Sequence, residues 1–184
     1  MDESSLENFL NPKALKSNLI MSSMFITAFE LLKDTIVDYP KVLFSDGFNS
    51  QGLALSDEYK NQVLSLNKSP LYASLEWFKE MEAISQNDIE LFSKIKNFRN
   101  ELAHEMGERI FEGINEDEYT KLFVSLIKLL EKVDRWWIIN FELAIDSDIE
   151  WEETEIDSAQ SSTVMILKTM LEIVSSNEED SWKY

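Results

Sequence analysis

The sequence predicts an all-α fold, a single-domain bundle of about five to six helices. Three observations carry that expectation. Apolar residues return at spacings of three and four through long stretches, whereas the alternation of a half-buried strand is nearly absent. Only 4 Gly and 3 Pro occur in 184 residues, which leaves few places for tight turns. Hydrophobic residues make up 44% of the chain, including 11 Phe, 5 Trp and 5 Tyr, so a chain of this length can bury a core. No repeat, low-complexity tract or long linker divides it. One helical domain is therefore expected over 1–184, with 1–11 and 177–184 as frayed tails.

Asn11-Pro12 reads as the first helix opening, Asn as cap and Pro at the first helical position. Leu15, Leu19, Ile26, Phe29, Leu32 and Ile36 then recur at helical spacing until Tyr39-Pro40, where the run is expected to end. Lys41 to Ala54 holds Asp46-Gly47 and Gln51-Gly52 and reads as a loop. A short helix follows, opened by Ser56 and carrying Tyr59, Val63, Leu64 and Leu66. Asn67-Lys68-Ser69-Pro70 opens another, with Leu71, Leu75, Phe78 and Met81 on one side. Ser85 with Asp88 forms a near capping box for a helix whose stripe is Ile89, Phe92, Ile95, Leu102 and Met106, ended by Gly107 or Gly113. Asn115 caps the longest segment, Glu116 to Ala144, with a stripe of Tyr119, Leu122, Leu126, Leu130, Val133, Trp137 and Phe141, extended by Trp136 and Ile139. Asp146 to Asp157 reads as an acidic loop and Ser158 to Ser176 as a last helix.

Composition closes off several chemistries. With no Cys there are no disulfides, thiolate nucleophiles or Cys-based metal sites. The apolar run Ser17 to Phe29 is too short for a membrane span, and Met1-Asp2-Glu3 is acidic where a signal peptide needs basic residues. A cytoplasmic location without a membrane partner is expected. The net charge of −18 opposes broad phosphate binding, so no duplex DNA partner is expected. That charge is uneven: Glu142 to Asp157 carries eight acids and no base, while Lys94, Lys96, Arg99 and Arg109 surround one short motif.

The motif is Arg99-Asn100-Glu101-Leu102-Ala103-His104, which contains the single histidine of the chain. Imidazole is the one side chain whose ordinary pKa lies near neutrality, so histidine-based proton transfer can occur only here. At 100° per residue, Arg99 and His104 lie about 140° apart on a helix, and Asn100 and His104 about 40°. His104 then points away from the apolar stripe and Arg99 lies close to it. One subunit cannot bring both to a point inside its own core; a cleft beside the helix, or a second subunit on the His104 face, can. Read from the residues alone, an ordinary buried pair tying helices together, with Arg99 bonding a carboxylate, stays open.

Arg-Asn-x-x-x-His within a helix resembles the motif of HEPN domains, all-helical modules that are often metal-independent ribonucleases of bacterial defence and toxin–antitoxin systems. Ala103 before the histidine and the helical setting add to the likeness. The resemblance implies a homodimer in which both copies line a shared cleft, an RNA substrate, and an antitoxin or other protein partner. It implies catalytic roles for Arg99 on the scissile phosphate, His104 as general acid or base, and Asn100 orienting the two. Cofactor and metal would be none. HEPN toxins paired with nucleotidyltransferase antitoxins often carry Tyr two residues after the histidine; here Met106 stands there. A second likeness, through Phe25 to Leu32 and the Ser85–His104 helix, is to the mannitol operon repressor family, and implies a non-catalytic regulator acting through protein contacts.

Other constellations are incomplete. Glu101-x-x-His104 has the spacing of one half of a di-iron site, which needs a second such motif and further Glu. His104-Glu105-x-x-Glu108 lacks the second His of a zinc protease. Trp136-Trp137 and Trp151 read as core or interface residues before base-stacking platforms. There is no Gly-rich phosphate loop and no nucleophile elbow.

Overall fold

A computed structural model describes residues 11–50, 52–104, 113–143 and 161–176. The expected features at Met106, Gly107, Trp151, the acidic stretch from Asp146 to Asp157, residues 158–160 and both tails apart from Asn11 lie outside them.

Among the described residues the fold is an all-α bundle of six helices with one small hairpin. α1 spans Pro12–Leu43; β1 (Ser45–Asn49) and β2 (Gly52–Leu55) form the hairpin; α2 is a π-helical turn, Tyr59–Leu64. α3 (Pro70–Glu80), α4 (Gln86–His104), α5 (Glu116–Trp137, continued by a π turn, Ile138–Glu142) and α6 (Ser162–Ser176) complete it. Helix starts follow local chemistry. The Asn11 side-chain oxygen accepts the N–H groups of Lys13 (3.1 Å) and Ala14 (3.4 Å), and that of Asn115 accepts Glu118 N–H (3.1 Å). The Ser85–Asp88 box closes both ways, Ser85 N–H to the carboxylate at 2.7 Å and Asp88 N–H to Ser85 Oγ at 3.3 Å.

The helices bury one continuous cluster. α1 contributes Phe25, Ala28, Phe29, Leu32 and Ile36; α4 contributes Ile89, Phe92, Ile95, Phe98 and Leu102. α5 supplies Tyr119, Phe123, Leu126, Leu130 and Val133, and α6 lays Val164 and Leu167 onto it. α4 and α5 run antiparallel: Phe98 meets Tyr119 at one end (6.5 Å between rings), and Lys132 bonds Asp88 at the other (2.6 Å).

Four expectations need correction. α1 does not end at Tyr39-Pro40 but runs through to Leu43. Pro40 loses only its own N–H bond; Phe44 N–H still reaches the Pro40 carbonyl at 3.1 Å, and Tyr39 is stacked on Trp137 at 4.4 Å, so packing carries the helix past the proline. Lys41 to Ala54 is not a loop: beyond the helix end it is the antiparallel hairpin. Gly47 (φ +103°) and Gly52 (φ +115°) take the left-handed conformations that bend it, with a bulge between Ser45 and Phe48. Leu19, Met81 and Ile139 are not core residues; Leu19 stands exposed on the outer face of α1, and the other two where their helices end or widen. The last turn of the long α5 segment is π rather than α, with Asn140 donating its side-chain N–H to the Trp136 carbonyl at 2.8 Å.

Candidate functional site

The motif occupies the last turn and a half of α4. Its apolar members fix the helix: Phe98 and Leu102 are buried, Phe98 against Phe25 at 4.9 Å in an edge-to-face arrangement. This anchoring turns Arg99 toward α1 and leaves His104 exposed.

Arg99 is held on three sides. Its Nη2 donates to Glu30 Oε1 at 2.5 Å, its Nη1 donates to Asn100 Oδ1 at 3.2 Å, and its guanidinium lies over the Phe29 ring at 5.6 Å. Its Nε is buried without a partner. Glu30 also accepts from Lys33, and Lys33 stands 3.5 Å from Asp34. The Lys33 ammonium, followed by the Arg99 guanidinium, holds the Glu30 carboxyl below its ordinary range although partial burial opposes them. The structure thus joins Arg99 to Asn100. It does not join either side chain to that of His104, which among the described residues makes no hydrogen bond or ion pair.

A groove of about 680 Å³ runs beside the motif, between α4 and the start of α5. Lys94, Asn97 and Glu101 line one wall, Asp117, Glu118 and Lys121 the other. His104 follows Glu101 by three residues, about 60° further round the helix, so the groove opens on the histidine side and not the arginine side. Among the described residues, no three His, Asp or Glu side chains are grouped to hold a metal ion. No described helix is long and apolar enough to cross a membrane.

Two features escaped the sequence reading. Glu30, the carboxylate that engages Arg99, lies 69 residues away on α1 and carries no local signal. Asp134 reads as one acid among many on α5, yet it is 2% exposed. It accepts the Tyr39 hydroxyl at 2.6 Å and the Ser161 hydroxyl. Its proximity to an apolar stripe was the only available hint.

The groove can hold a polar ligand between α4 and α5, and the exposed His104 can exchange a proton with solvent or with a ligand at the end of α4. No protein-family model, curated protein or solved structure matches the chain.

Proposed function

We propose that this chain is a HEPN-like, metal-independent RNA endonuclease of a bacterial defence or toxin–antitoxin system, acting as a cytoplasmic homodimer. The observation that carries the reading is the bonded Arg99–Asn100 pair with an exposed imidazole, unengaged among the described residues, one turn further along the same helix. Arg99 and His104 diverge around α4, and in this reading the site draws on two copies, Arg99 from one and His104 from the other. In that site the ribose 2′-hydroxyl attacks the adjacent phosphorus and the 5′-oxygen leaves, giving a 2′,3′-cyclic phosphate. His104 takes the hydroxyl proton or supplies one to the leaving oxygen, and Arg99 offsets the charge that gathers on the phosphoryl oxygens. Asn100 positions the guanidinium through the bond they share.

The test is incubation of the dimeric protein with RNA in excess EDTA. Cleavage that yields cyclic phosphate ends and disappears in His104→Ala and Arg99→Ala supports the nuclease. A second reading, a non-catalytic interaction or regulatory protein on the same scaffold, is favoured by the Arg99–Glu30 ion pair, which engages the guanidinium in tying α4 to α1. RNA left intact by a dimeric, folded sample decides for that reading.

A further inference from the structure

Glu30 bridges two cations. Its Oε1 accepts from Arg99 Nη2 at 2.5 Å and its Oε2 accepts from Lys33 Nζ. Each carboxylate oxygen is thus taken by a different side chain, one on α4 and the other three residues on along α1. Two oxygens of a phosphate group present the same pair of acceptors, and guanidinium and ammonium groups bind either kind of anion. The carboxylate therefore sits where a phosphate group would sit.

Neither cation depends on Glu30 to stay in place. With the carboxylate turned away, Arg99 keeps the Asn100 side-chain oxygen at 3.2 Å and the Phe29 ring at 5.6 Å, and Phe29 is itself fixed in the core. Lys33 keeps Asp34 at 3.5 Å. The cradle would survive the loss of its present occupant. Displacement is also easy: the side chains of Arg99, Glu30 and Lys33 are 26%, 33% and 35% exposed, so water reaches all three and screens the pairing.

We propose that Arg99 and Lys33 form a phosphate-binding site that the Glu30 carboxylate occupies in the resting protein, so that a phosphate group binds by displacing Glu30. The site adds Lys33 to the residues of the motif and gives the Arg99–Glu30 pair a second task beside tying α4 to α1. It deepens the nuclease reading and rests on it for the source of the phosphate, an RNA backbone. An entering strand must then expel the carboxylate before Arg99 reaches the scissile group, which holds the free protein back.

The test reads phosphate binding rather than cleavage. Inorganic phosphate is titrated into the full chain at constant ionic strength, and binding is followed by NMR shifts of the arginine side chains. Glu30→Gln is expected to bind phosphate roughly tenfold more tightly than the parent, about the worth of lifting one like charge from contact with the anion. Glu30→Ala, which leaves no amide in place of the carboxylate, is expected to do the same. Asp57→Asn removes the same charge from an exposed pair with Lys60 at the same spacing, and is expected to leave binding at the parental level. Adding Lys33→Gln or Arg99→Gln to Glu30→Gln is expected to cancel the gain. Phosphate bound no more tightly after either Glu30 substitution than after Asp57→Asn, or a gain that survives the loss of Lys33 and of Arg99, would overturn the inference. A 2′-O-methyl RNA oligonucleotide, which lacks the attacking hydroxyl, separates the sources. Displacement of phosphate by the oligonucleotide supports an RNA backbone as the occupant. Tightened phosphate binding that the oligonucleotide does not displace assigns the site to a free phosphate group and counts against the nuclease reading alone.

Discussion

Tyr39, near the end of α1, donates a 2.6 Å hydrogen bond to the buried carboxylate of Asp134 on α5. Ser161 donates to the other oxygen of that carboxylate, while its own Oγ accepts the Val164 N–H at 3.2 Å as the cap of α6. One acidic side chain therefore fastens three helices. Burial pushes the Asp134 carboxyl above its ordinary range, the Ser161 and Tyr39 hydroxyls pull it back, and Glu142 adds to the rise. Burial likewise raises the Tyr39 phenol, with the Asp134 hydrogen bond reinforcing it.

The sign of the resulting pH dependence follows from the raised carboxyl. Asp134 binds its proton more tightly folded than unfolded, so its contribution favours the fold below the ordinary carboxyl value and is lost as pH rises through the folded value. Asp134→Asn is expected to remove this component and flatten the pH dependence of urea-unfolding stability above the ordinary carboxyl value. Asp134→Ala strands two half-buried hydroxyls and is expected to lose about 1–3 kcal/mol, with hydrogen exchange rising first in α6.

The Arg99–Glu30 pair behaves in the opposite sense. Glu30 is held below its ordinary value, so its contribution is present above that value and is lost as pH falls through the lowered one. The two side chains are 26% and 33% exposed, and solvent screening keeps the coupling small. A double-mutant cycle with Arg99→Ala and Glu30→Gln is expected to return about 0.5–1 kcal/mol, falling further at high salt.

What could be read from the chain divides by range. The caps at Asn11, Ser85 and Asn115 were legible because a cap needs only residues within one turn. The stripes of α1, α4 and α5 were legible because burial repeats with the helical period. Pro40 misled because its local penalty is outweighed by the Tyr39–Trp137 stack, a contact 98 residues long in sequence that no window contains. The hairpin was hidden because its glycines signal a bend without saying whether the flanks pair. At the motif, the helix and the facing of Arg99 and His104 were readable, but Glu30 was not: a carboxylate partner was foreseeable, its identity depended on how α1 crosses α4.

Phe98 shows the same limit within one helix. It belongs to the α4 stripe by spacing though it sits beside the charged motif, and it packs against Phe25 and Tyr119 where the end of α4 meets α1 and the start of α5. Phe98→Ala is expected to cost about 3–5 kcal/mol in denaturant unfolding. Phe48→Ala, with 85% of its surface already in water, is expected to stay within about 0.5 kcal/mol of the parent.

His104 separates stability from chemistry most cleanly. It is exposed at the end of the described part of α4 and bonds nothing among the described residues, so His104→Ala is expected to leave stability within about 0.5 kcal/mol. If the imidazole moves protons in RNA cleavage, the same substitution is expected to slow that reaction by about 10²–10⁴-fold, the usual worth of a positioned acid or base. The two measurements on one purified variant discriminate sharply. Unchanged unfolding with lost cleavage ties the activity to the imidazole. Unchanged unfolding with RNA cut at the parental rate places the activity elsewhere or in a contaminant. Lowered stability would contradict the exposure of His104, and rescue by His104→Gln, which approximates the size without the titration, would then distinguish packing from catalysis.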